Sequence, residues 1–171
     1  QPEEVIFTSG GSESNNMALK GIASRAAVKG QHIIVSKVEH PAILNVVQYL
    51  QHQGFRISFL PVDSQGVVQP DDLDEIITSK TILVSVMHAN NEIGSIQPID
   101  ELTEIAHRAG ATFHTDAAQS VGKIPVDVND LGCDLLSVAG HKLYAPKGVG
   151  VLYKKTGIDL DPLLHGADHE N

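Results

Sequence analysis

Along the chain, short runs of aliphatic and β-branched residues alternate with longer segments whose apolar positions recur every three or four residues. Val5-Ile6-Phe7-Thr8 predicts a short buried strand, followed by a turn of small residues from Ser9 to Asn16. Beyond that turn Met17, Ala18, Gly21, Ile22 and Ala26 fall at helical spacing, with Gly30 as the stop. His32-Ile33-Ile34-Val35-Ser36 is the next strand. Pro41 then opens a helix whose apolar face is Ile43, Leu44, Val47 and Leu50, ending before Gly54. Residues 55–62 alternate apolar and polar side chains as a strand does, and Asp63-Ser64-Gln65-Gly66 is turn chemistry. Pro70 begins a short acidic helix over 71–78, its carboxylates at the positive end of the helix dipole. Residues 81–87 form the most continuous β-branched run, the signature of a central parallel strand covered on both faces. Pro98 starts another helix, with Ile99, Leu102, Ile105 and Ala106 inward, closed by Gly110. A strand follows over 111–116, then an irregular stretch over 121–131, a strand over 134–139, a turn through Gly140, and a last strand over 149–153.

Strands and helices alternating at this spacing predict an α/β fold: a mostly parallel sheet with helices on both faces. The length suits one domain over 1–171. Ligands of such sheets bind beyond the carboxyl ends of the strands. Ser12, His40, Asn91, Asp116 and Lys142 all sit at those ends or in the loops just after them, which predicts one composite site.

Composition narrows the partners. The net charge is −9 with no basic block, which argues against nucleic acid and anionic membranes. No apolar run is long enough to span a bilayer. The single cysteine, Cys133, excludes an internal disulfide framework and fits a reducing compartment, cytoplasm or organelle matrix. It reads as a small buried residue. The start at Gln1 and the end in a polar stretch suggest a piece of a longer polypeptide, so any targeting segment lies outside what can be read.

The local chemistry has two readings at each point. Strand, Gly/Ser turn and helix start can point free backbone N–H groups at an anion, with Ser12 adding a hydroxyl, or can be a tight turn with a serine N-cap. His40 can cap the helix that Pro41 opens or can act on a ligand. Lys142, in a turn between two strands, can be a surface charge or a lysine held at the edge of the core, whose partly desolvated amine attacks a carbonyl. Together these residues match what a phosphorylated aromatic aldehyde needs: an amine for the imine, a strand-end aspartate for the ring nitrogen, and a helix start for the phosphate.

The segments Phe7 to Asn16, Glu39-His40-Pro41-Ala42, Asn90-Asn91-Glu92-Ile93-Gly94, His114 to Lys123 and Gly140-His141-Lys142-Leu143-Tyr144 resemble the large domain of the cysteine desulfurases. These are pyridoxal-phosphate (PLP) enzymes of the class V aminotransferase fold, a fold-type I transferase architecture, with selenocysteine lyases as close relatives. The resemblance runs over nearly the whole chain, in the family's order. It implies that Lys142 bonds the cofactor aldehyde, Asp116 pairs with the ring nitrogen, and His40 stacks on the ring and moves protons. Asn91 and Gln119 would bond the phenolic oxygen, Asn91 also lying near the substrate carboxylate, while Gly11, Ser12 and His141 hold the phosphate. The implied reaction of the full-length protein removes sulfur from L-cysteine, giving alanine and an enzyme persulfide for iron–sulfur or thio-cofactor assembly. A homodimer and a sulfur-acceptor or scaffold protein are the implied partners.

Two departures qualify the resemblance. Ala139 stands where many relatives carry a phosphate-binding serine. The family's persulfide-forming cysteine and substrate-carboxylate arginine fall beyond Asn171, and its small-domain segment before Gln1, so the 171 residues alone are expected to be inactive in sulfur transfer. Cys133 does not match the family's cysteine. Three alternatives remain at this level: selenocysteine as substrate, a non-catalytic domain of the same fold, and a metal-dependent hydrolase. The last would be built on His114 and Asp116, two apart on a strand, with His165, His169 and Glu170.

Overall fold

A computed structural model describes residues 1–166. Its framework is one seven-stranded sheet, β1 (Val5–Thr8), β2 (His32–Ser36), β3 (Arg56–Leu60), β4 (Thr81–Ser85), β5 (Thr112–Asp116), β6 (Leu135–Ala139) and β7 (Gly150–Lys154). They lie in the order β1-β7-β6-β5-β4-β2-β3. Strands β2 to β6 pair in parallel, and β7 alone runs against both its neighbours. The predicted mostly parallel sheet is therefore present, with one reversed strand that hydrophobic pattern alone did not reveal.

Five helices flank the sheet among the described residues: α1 (Gly11–Ala26), α2 (Pro41–His52), α3 (Pro70–Ile76), α4 (Ile99–Arg108) and the single turn α5 (Val128–Leu131). Alternating strand residues feed two cores. Ile33, Val35, Leu83 and Leu135 pack with Ala18, Leu19 and Ile22 of α1 and with Ile43, Val46 and Leu50 of α2. Ile34, Val84, Phe113 and Leu136 pack on the other side with Leu73 of α3 and with Leu102 and Ile105 of α4. Helices thus cover both faces, and β2 and β4 are buried at every residue. Burying a side chain of this kind contributes about 1.5–3 kcal/mol.

The chain moves outward from β2 to β3, then returns past β2 to lay down β4, β5 and β6 in the opposite direction. Right-handed crossovers in opposite directions put their helices on opposite faces, so α2 leaves β2 toward one core and α4 follows β4 toward the other. A crevice opens between the ends of β2 and β4, the usual ligand position in such sheets.

Three expectations are corrected. β1 is an edge strand with Val5 and Phe7 exposed, because it pairs with β7 on one side only. α1 begins at Gly11 rather than after Asn16. Its N-cap is Gly10 and Ser12 lies inside the first turn, where Glu13 bonds back to the Ser9 backbone N–H at 2.8 Å and to the Ser9 hydroxyl. The irregular 121–131 stretch closes in α5, capped by the Asp127 side chain.

Candidate functional site

A cleft of about 390 Å³ opens at the carboxyl ends of the strands. It is lined by all eight residues singled out from the sequence: Gly11, Ser12, His40, Asn91, Asp116, Gln119, His141 and Lys142. They come from the first turn of α1 and from the segments after β2, β4, β5 and β6, so the sheet gathers residues up to 131 positions apart in sequence.

The base of the cleft is built around Asp116, the last residue of β5, which is 6% exposed. Its carboxylate accepts the Asn15 side-chain amide at 2.8 Å on one oxygen and the Ala118 backbone N–H at 2.9 Å on the other. Its backbone is pinned from both sides, by the His88 N–H donating to its carbonyl and by its pairing with Ser137. Two donors without a neutralising cation keep a buried carboxylate oriented as an acceptor for something in the cleft. Asn15 itself is buried, and its Oδ1 has no partner.

Asn15 was not singled out from the sequence, although a signal was present. It shares the inward face of α1 with Ala18, Leu19 and Ile22, so a polar side chain occupies a position the helical spacing reserves for an apolar one.

The rim is exposed. His40 is the N-cap of α2, its Nδ1 accepting the Ala42 N–H at 3.1 Å, so the capping reading holds, and the residue also lines the cleft. Gln119 has its Oε1 engaged by Lys123 at 3.0 Å, which leaves its amide N–H groups free. Asn91 sits in a loop that Asn90 shapes by accepting the N–H groups of Glu92 and Ile93.

At the other side, α1 meets the ends of β6 and β7 at very close range. A Cβ on Gly11 would come within 3.1 Å of the Ala139 methyl, and one on Gly150 within 2.5 Å of the Gly10 backbone. Only glycine lets the helix start approach the strand ends this closely. The first turn of α1 thereby presents its unpaired N–H groups along the cleft wall.

Lys142 lies in a 3-10 turn, Gly140–Leu143, directly after β6. The turn's backbone is tightly held, with Gly140 donating to Val149 and Ala145 donating to Gly140, and a Cβ on Gly140 would strike the Val149 carbonyl at 2.6 Å. The lysine side chain is exposed, not held at the edge of the core as expected, because the turn carries it past the strand ends onto the open rim. Tyr144 ends the turn in the left-handed region at φ 62°.

The other chemical candidates resolve differently. Cys133 is buried, as read from the sequence, and burial pushes its thiol up to about 12. His114 spends both ring nitrogens on serines, Nδ1 with Ser85 at 2.8 Å and Nε2 with Ser137 at 2.9 Å. It has no free lone pair for a metal, and no group of three candidate ligands gathers among the described residues. His169 and Glu170 lie outside the described residues.

The aminotransferase class-V family model matches residues 1–170, and the chain belongs to that family. Among curated proteins it is 57% identical over 169 residues to the cysteine desulfurase IscS of Dictyoglomus turgidum, covering 99% of this chain and 43% of that protein. A solved structure described as a NifS-like protein superposes with a TM-score of 0.96 at 40% identity, over 99% of this chain and 47% of that one. Another, described as SspA in complex with cysteine, gives 0.94 at 41% identity, over 99% and 50%. The chain thus spans less than half the length of the curated relatives it matches.

Proposed function

We propose that this chain supplies the cofactor-holding part of a PLP-dependent cysteine desulfurase, which takes sulfur from L-cysteine. The observation that carries the reading is the convergence of eight residues from five separate segments on one cleft with a buried aspartate at its base. The identity to cysteine desulfurases over nearly the whole chain supports the reaction class.

The residues fit PLP. The Asp116 carboxylate, fixed by Asn15 and Ala118, suits a protonated ring nitrogen, and the orphaned Asn15 Oδ1 beside it can take a further donor. The close-packed Gly11 turn with Ser12 and His141 suits the phosphate. Lys142 reaches the cleft from the rim and suits covalent attachment at the aldehyde. When bound, PLP supplies an electron sink for the α-carbon of an amino acid.

The chain's own groups then have definite tasks. His40 has Nδ1 accepting the Ala42 N–H, so the ring proton sits on Nε2, which presents a hydrogen-bond donor to a ligand in the cleft. Gln119, with Oε1 taken by Lys123, presents N–H donors and therefore suits an anionic phenolic oxygen. Ala139 offers a methyl where a hydroxyl would add one phosphate bond, so the phosphate depends more heavily on the α1 turn and His141.

Partners and setting follow the same reading. Ile93, Ile96 and Tyr144 are large apolar side chains exposed on the loops that follow β4 and β6, which supports self-association into a homodimer over that side. A sulfur-acceptor or scaffold protein would receive the product, in a reducing cytoplasmic or matrix setting. No helix among the described residues is long and apolar enough to cross a membrane.

The test is a titration of the chain with PLP followed by visible absorption. A band shifted from that of free PLP is expected, and its loss in Lys142→Ala. An unchanged spectrum in Lys142→Ala would overturn the assignment of that residue.

A further inference from the structure

The crevice between β2 and β4 is closed by two buried side chains that do not line the cleft. Glu39, just after β2, is 5% exposed. Its Oε1 accepts the Ser36 hydroxyl at 2.5 Å and the Met87 backbone N–H at 2.7 Å, so it ties the segment after β2 to the segment after β4. Asn90, 9% exposed, makes the return connection: its amide donates to the Val38 carbonyl at 2.9 Å. The neighbours of these two residues in sequence are His40 and Asn91, both of which line the cleft.

We propose that Glu39 and Asn90 are positioning residues, a two-bond clamp across the β2–β4 crevice that sets the separation of His40 and Asn91. The proposal rests on the functional reading above for the importance of that separation, though the clamp is a property of the chain alone.

The topology explains why a clamp is needed. The segments leaving β2 and β4 diverge toward opposite faces of the sheet, so ordinary strand pairing cannot hold them together beyond Val35 and Ser85. The chemistry explains why the clamp is not merely a stabilising contact. Glu39 is buried with no cation beside it among the described residues, and its Oε2 has no partner there. An apolar side chain would fill the same space at lower cost. Burial, with the nearby charge of Asp116 adding to it, pushes the Glu39 carboxyl up to about 8. Near neutrality Glu39 is an uncharged acid. A neutral acid working through an accepting oxygen has a close isostere in glutamine.

The test compares Glu39→Ala, Glu39→Gln and Asn90→Ala in the full chain, with Leu73→Ala in the opposite core as a control for general destabilisation. Two quantities are measured: amide hydrogen exchange at Met87, Glu92 and Ile93 in the cofactor-free protein, and PLP affinity by absorption titration. Losing one buried hydrogen bond predicts roughly tenfold faster exchange at Met87 in Glu39→Ala and roughly tenfold weaker PLP binding. Asn90→Ala is expected to do the same at Glu92 and Ile93, whose N–H groups its Oδ1 accepts. Glu39→Gln restores both to near the parent values, and Leu73→Ala leaves PLP affinity above that of Glu39→Ala. Parent-like exchange and affinity in both alanine variants would overturn the clamp. So would Glu39→Gln behaving like Glu39→Ala, or Leu73→Ala weakening PLP equally. If the parent chain takes up no PLP, the functional reading falls, while the exchange rates still decide whether the clamp exists.

Discussion

Replacing His114 with glutamine should flatten the acid limb of the protein's stability curve. His114 lies on β5 with no exposed surface, between Ser85 of β4 and Ser137 of β6. Burial lowers its imidazole from the ordinary 6.5 to about 3. Between those values the unfolded chain binds a proton that the folded protein refuses. The group's contribution is therefore complete above about pH 6.5 and is lost as pH falls toward about 3. At about 1.4 kcal/mol per unit, the whole span is worth about 5 kcal/mol, and about 3 kcal/mol is gone by pH ~4.5. That is a large share of the roughly 5–15 kcal/mol that keeps a typical domain folded.

The assay is urea unfolding of the parent and His114→Gln at pH ~7 and ~4.5. At neutral pH the variant should be weaker by about 1–2 kcal/mol, since glutamine does not reproduce both serine contacts. On acidification the parent should lose about 3 kcal/mol more than the variant. All other titrating groups are common to the two proteins and cancel in the difference, including Glu39, whose raised carboxyl acts in the opposite direction. Equal losses in the two proteins, or a His114 ring that titrates near 6.5 in the folded state, would refute the argument.

Other expectations follow from single contacts. Asn15→Ala removes one of two donors from the buried Asp116 carboxylate, a charge-assisted bond worth about 1.5–3 kcal/mol. Thermal unfolding should show lower stability and titration weaker PLP binding, and unchanged affinity would separate Asn15 from the site. Cys133 is buried with its thiol near 12, so alkylating reagents should label it only as the chain unfolds. Labelling of the folded protein at the rate of a free thiol would contradict the packing around it.

Much of this molecule could be read one segment at a time. Hydrophobic spacing located the seven strands and the three longest helices, and Pro41 and Pro70 marked helix starts to the residue, because these signals depend on neighbours within a turn or two. The rule that ligands sit at strand ends then collected Ser12, His40, Asn91, Asp116 and Lys142 without any knowledge of which strand lies beside which, and the family resemblance added Gly11, Gln119 and His141.

Local signals carried the seven strands, the four longer helices, their order and the residue types on the rim. That β7 runs backward, that β1 is an exposed edge, and that Lys142 stands on an open rim came only with the assembled sheet. Those outcomes depend on which strand ends meet and on what covers them. The same is true of the supporting residues: Asn15 meets Asp116 across 101 positions and Glu39 meets Met87 across 48. A polar side chain on an apolar face announces that it must have a partner, because burying it alone is too costly. Which partner it finds is settled by the folding of the whole sheet.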